Sequence, residues 1–120
     1  MIKPANELTI VEAGKALRSK ELSVRDLWDA CHREAARRNP ELNAFLEIFD
    51  ADDRAMAAAQ KRIDEEGDAA PLLCGIPLAI KDNMLIEGKI ASAASKMLQN
   101  YRATYDATVI KKLKEDRGLM

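Results

Sequence analysis

The sequence predicts an α/β fold, with a helical first half followed by short apolar strands and flanking helices. Three observations predict it. Two stretches in the first forty residues repeat their apolar positions at helical spacing. Residues 76–80 are apolar throughout, and Gly75 and Pro77 exclude a long helix there. Residues 107–117 return to helical patterning. The chain has 120 residues, 48% hydrophobic and 32% charged, which bounds it to one domain at most. Aromatic residues make up only 4%, so the core must come from Leu, Ile, Val, Met and Ala. These bury less area per residue, a warning that the chain is less than a complete domain.

The elements follow in order. Thr9-Ile10-Val11-Glu12 fits a capping box, with a hydroxyl at the cap and a carboxylate three residues on. Ile10, Ala13, Ala16 and Leu17 then mark an apolar face that fades at Ser19-Lys20. Ser23-Val24-Arg25-Asp26 opens a second helix in the same way. Val24, Leu27, Trp28, Cys31 and Ala35 form its stripe, and Asn39-Pro40 is expected to end it. Residues 44–49 (AFLEIF) are rich in β-favouring types and predict a strand. Residues 52–66 predict a third helix closed by Gly67-Asp68. Helix propensity, not deep burial, is expected to hold its Ala57–Ala59 run.

The second half is expected to hold a buried strand at residues 76–80 and a short strand at 84–86. A short helix over 92–100 and a final helix from Ala107 to Asp116 or Arg117 follow. The final helix takes Asp106 as N-cap, Gly118 as C-cap, and Val109, Ile110 and Leu113 inward. Residues 1–69 are thus mainly helical, and residues 70–120 carry strands and helices. Tyr101 and Tyr105 flank a turn and are expected to pack there.

Composition narrows the function. The formal net charge is −1, so no broad field draws in nucleic acid, and the lysines at 111, 112 and 114 read as a solvated helix face. No apolar run approaches the ~20 residues of a membrane helix. The N-terminal residues carry no secretory pattern, so a cytoplasmic chain is expected. Cys31 and Cys74 have no metal-ligand spacing, and His32 is the only histidine. No metal site is expected, and neither is a catalytic pair between Cys31 and His32, because adjacent helix side chains diverge.

Lys81 is the most informative residue. A lysine that directly follows an apolar strand has its ammonium at the strand's end. Desolvation there favours the neutral amine, which can take and return a proton. From spacing alone, a lysine that snorkels to solvent or pairs with Asp82 is the commoner arrangement. Asp82 either orients Lys81 or only satisfies backbone donors.

The segment from Cys74 to Asn83 (CGIPLAIKDN) resembles the lysine motif of the amidase signature family. Ser95-Lys96-Met97-Leu98, Tyr105-Asp106-Ala107-Thr108-Val109 and Leu113-Lys114-Glu115 continue the resemblance in order. Within the family they are most similar to the A subunits of aspartyl/glutamyl-tRNA amidotransferases. The resemblance implies an amidase-signature fold, incomplete here. It also implies a Ser–cis-Ser–Lys triad in which Lys81 is the lysine, working through a bridging serine to activate a nucleophilic serine. Glutamine is the implied substrate, and its ammonia amidates Glu or Asp on misacylated tRNA. The implied partners are the B and C subunits and, through them, the tRNA. ATP and Mg are implied for one of those partners, and no cofactor for this chain. No substrate-binding residue is identified.

Two departures stand out. Ala91-Ser92 replaces a pair of threonines usual in the family. The Gly-rich serine segment that supplies the other two triad members is not found, and Ser92 and Ser95 lie in the wrong motif to replace them. Beyond Glu115 the pattern breaks, which is read as a truncated or frame-shifted N-terminal portion, inactive alone. The alternatives are a fragment of another amidase-family hydrolase and a non-catalytic remnant acting as an interaction module.

Overall fold

Two capping boxes start the first helices. In the computed structural model, which describes residues 3–120, α1 spans Ile10–Arg18 and α2 spans Val24–Leu42. The Thr9 hydroxyl accepts from the Glu12 N–H at 3.2 Å, and the Glu12 carboxylate accepts from the Thr9 N–H at 2.8 Å. Ser23 and Asp26 repeat the exchange at 3.1 Å in each direction. Each box thereby satisfies two N–H groups that would otherwise stay unpaired at the helix start. The third helix, α3 (Asp53–Glu66), is capped by Asp52, whose carboxylate accepts from the Ala55 N–H at 3.0 Å. It ends where Gly67 takes a φ of +55°.

Pro40 does not end α2, which continues to Leu42. In the last turn the proline forfeits only one ladder bond, and Asn39 closes the end. Asn43 turns left-handed and donates its N–H to the Asn39 carbonyl at 2.7 Å. The Asn39 side chain then clamps Phe45, donating to its carbonyl at 2.9 Å and accepting from its N–H at 2.8 Å. This clamp stands in place of the strand expected over 44–49. A side chain, not a neighbouring strand, satisfies the Phe45 backbone, and the segment is irregular.

The chain folds as two units. The first runs through Leu78 and takes in Asp116–Met120; the second is Ala79–Glu115. In the first, α3 packs on both α1 and α2, and Leu17, Val24, Leu27, Met56 and Ile63 are buried together. Ile10 is exposed, contrary to its expected place on the apolar face. Ala59 corrects another expectation: it is fully buried, and its carbonyl accepts from the Cys74 thiol at 3.5 Å. Its small side chain admits the 71–76 turns against α3.

β pairing among the described residues is confined to two isolated bridges. The expected buried strand is reduced to a parallel bridge between Pro77 and Leu119. It is flanked by bonds from Gly75 N to Arg117 O at 3.0 Å, Leu119 N to Ile76 O at 3.0 Å, and Leu78 N to Leu119 O at 2.7 Å. Arg117 (φ +62°), not Gly118, takes the left-handed position after the last helix.

The second unit has a smaller core of Ile86, Ala91, Ala103 and Ile110. Ile90 bridges Arg102 in antiparallel sense. The strand expected at 84–86 is irregular and leads into a turn that Lys89 N closes by donating to Ile86 O at 2.9 Å. The helix expected over 92–100 shrinks to a 3₁₀ turn at Lys96–Leu98. Ala93 and Ala94 both have positive φ (+48° and +60°), which a right-handed helix cannot accommodate. The last helix, α4 (Thr108–Glu115), turns Ile110 inward and leaves Val109 exposed. Asp106 ties α4 to a loop: it accepts from the Glu87 N–H at 2.8 Å and from the Lys114 ammonium at 2.6 Å. Tyr101 and Tyr105 are both exposed, so the packing expected of them is not seen. No helix among the described residues is long and apolar enough to cross a membrane.

Candidate active-site segment

Lys81 opens a tight turn in the second unit. Its carbonyl accepts from the Met84 N–H at 3.0 Å. Its side chain is exposed, as is Ala79 before it. The burial expected for the ammonium is therefore absent, because the segment leading into Lys81 is not a strand enclosed by neighbours.

The Asp82 carboxylate takes one backbone and one side-chain donor from elsewhere in the unit. Its Oδ1 accepts from the Ser92 N–H at 3.1 Å, and its Oδ2 accepts from the Ser92 hydroxyl. The Asp82 carbonyl accepts from the Ala93 N–H at 3.1 Å. The Ser92 hydroxyl and then its N–H hold the Asp82 carboxyl below the usual carboxylate range. The turn that carries Lys81 is thus fastened to residues 92–93. Ser92 in turn accepts from the Ser95 N–H at 2.8 Å through its carbonyl, and the Ser95 hydroxyl accepts from the Met97 N–H at 3.2 Å. Both serines are occupied with groups of their own segment and its neighbour.

Sequence reasoning singles out Lys81 and marks Ser92 only as a departure from a pattern. It misses the pairing of Ser92 with Asp82. Ten residues separate them, and no periodicity of helix or strand relates such positions.

The other chemically distinctive residues have structural roles. Trp28 and His32 stack with ring centroids 6.0 Å apart and planes at 25°. Burial pushes both the Cys31 and Cys74 thiols up, which makes them poor nucleophiles.

Known proteins share this segment and most of the chain around it. The model of the family described as amidase matches residues 26–119. The chain is 46% identical over 112 residues to the A subunit of glutamyl-tRNA(Gln) amidotransferase from Desulfatibacillum aliphaticivorans, covering 92% of this chain and 22% of that protein. It is 41% identical over 111 residues to the protein of that name from Roseiflexus castenholzii, again 92% of this chain and 22% of the relative. With its counterpart in Streptococcus thermophilus it shares 44% identity over 106 residues, 88% of this chain and 21% of the relative. The chain spans about a fifth of the length of these curated relatives.

Proposed function

The chain belongs to the amidase family, and from that premise we propose that it is the lysine-bearing part of the A subunit of a glutamine-dependent tRNA amidotransferase. The observation that carries this reading is the motif Gly75-Ile76-Pro77 through Lys81-Asp82-Asn83. It lies inside the matched region, in a chain whose relatives bear that subunit's name.

In this proposal Lys81 is the base of a Ser–cis-Ser–Lys triad. It takes a proton through a bridging serine from the nucleophilic serine, which attacks the side-chain amide carbonyl of glutamine. The proton passes from Lys81 to the amide nitrogen, ammonia leaves, and water releases glutamate from the acyl-enzyme. The ammonia then amidates Glu or Asp on misacylated tRNA, with B and C subunits as partners and ATP and Mg serving one of them. These 120 residues supply one triad member. The chain alone is therefore proposed to be inactive.

Two assays test the proposal. The purified chain should release no ammonia from glutamine; release that Lys81→Ala abolishes would overturn the inactivity. For the role of Lys81, residues 1–115 can be joined to the remainder of the Desulfatibacillum relative. The chimera should hydrolyse glutamine, and Lys81→Ala in it should lower kcat by roughly a thousandfold or more, as loss of one member of a catalytic unit does. A Lys81→Ala chimera that keeps its activity sinks the reading.

A further inference from the structure

We infer that Asp82 and Ser92 form a latch that positions Lys81, fixing the turn from which its side chain projects. The inference rests on the reading of Lys81 as the catalytic lysine and adds two positioning residues to it.

The Lys81 turn has little support of its own. The lysine is exposed, and the segment is not held in a sheet. One backbone bond, from Met84 N to Lys81 O, closes the turn internally. A turn with one internal bond and an exposed side chain is not fixed by its own contacts. Three bonds from outside the turn converge on the next residue: the Ser92 N–H and hydroxyl on the Asp82 carboxylate, and the Ala93 N–H on the Asp82 carbonyl. Bonds to a charged acceptor are among the stronger ones. They hold both the side chain and the backbone of the residue directly after Lys81, which limits rotation of the Lys81 Cα–Cβ direction.

The far side of the latch is itself constrained. Ala93 and Ala94 hold left-handed conformations that cost an alanine about 1–2 kcal/mol each. Such conformations persist only where surrounding bonds enforce them. Here they lie directly after Ser92, and the Ala93 N–H is one of the latch bonds. The lowered titration of the Asp82 carboxyl agrees with a carboxylate held by these donors. Neither Asp82 nor Ser92 touches a reacting atom in this scheme; both act through Lys81.

The test is NMR relaxation and amide exchange on the 120-residue chain, comparing the native sequence with Ser92→Ala, Asp82→Asn and Ser92→Thr. Amides of residues 81–84 and 92–95 should exchange roughly tenfold faster or more in the first two variants. The Lys81 side-chain carbons should gain mobility at the same time, while amides of α1 to α3 stay as they were. Ser92→Thr keeps the hydroxyl and should restore both readouts. A merely structural bond would loosen 92–95 and leave the Lys81 side chain unchanged; that result, or unaltered exchange at 81–84, overturns the inference. If Ser92→Ala melts the second unit, Asp82→Asn decides by the same criteria, since it preserves one carbonyl acceptor. A chimera that survives Lys81→Ala would sink the catalytic reading while leaving a loosened Lys81 turn on record. An unmoved turn sinks the latch whatever the chimera does.

Discussion

Gly75 shows how much one residue can decide. It has a φ of +77°, and a Cβ added there would lie 2.7 Å from Val24 Cγ2 and 3.2 Å from Ile63 Cδ1. Val24 is β-branched and nearly fully buried in a helix, so its methyl has little freedom to move aside. Gly75→Ala is expected to destabilise the chain by about 2–4 kcal/mol, combining left-handed strain with overpacking. The midpoint of urea unfolding checks this, and an unchanged midpoint refutes it. Glu12 offers a prediction in pH. The Lys3 ammonium, then the Thr9 N–H and hydroxyl, lower its carboxyl from 4.5 to about 2. A depressed folded-state value means that the stabilisation is present above the unfolded value. It is lost as pH falls from about 4.5 through about 2. Carboxyl NMR titration should find Glu12 near the lower value, and Lys3→Ala should move it back toward the ordinary range.

At the scale of elements, Arg18 joins segments that are remote in sequence. From the end of α1 its guanidinium donates to the carbonyls of Gly67 at 3.2 Å, Ala70 at 2.8 Å and Pro71 at 3.2 Å, and to Gly14 within its own helix at 2.9 Å. It thereby secures the exit from α3 to the end of α1 and sets the start of the 71–76 turns. The side chain is partly buried, and three of its four acceptors are backbone carbonyls that follow the end of α3. Arg18→Met keeps most of the apolar stem and removes the donors. It should cost about 1.5–3 kcal/mol and speed amide exchange at residues 67–72 ahead of α2. Exchange that rises evenly over the whole first unit would show that Arg18 acts through packing instead.

At the scale of the whole molecule, the two units differ in how much they bury. The first encloses side chains from three helices, the 70–76 segment and Leu119. The second buries four aliphatic side chains and relies on hydrogen bonds among turns. Buried apolar contact sets the free energy of local opening. Amides of α4 and of residues 86–103 should therefore exchange faster than those of α1 to α3 under native conditions. Uniform protection along the chain would contradict this. The capping boxes at Thr9 and Ser23 and the stop at Gly67 are legible in the sequence, because each is an arrangement among residues three or four apart. So is the ten-residue segment around Lys81. The irregular structure over 44–49 and 76–80 is not legible there, because β structure is a property of partners. Asn39 supplies the partner of Phe45, and only Leu119 bridges Pro77.

The sequence by itself determined the capping-box starts of the first two helices, the family and the lysine segment proposed to carry its chemistry. Each is written in contiguous residues, either as local hydrogen-bond geometry or as an unbroken motif. Only the tertiary structure decided that Asp82 faces Ser92, that Arg18 gathers the carbonyls of Gly67, Ala70 and Pro71, and that Ala59 is buried beneath Cys74. These contacts bring together residues 10 to 53 positions apart. No helical or strand period relates such separations, so folding alone selects the partners.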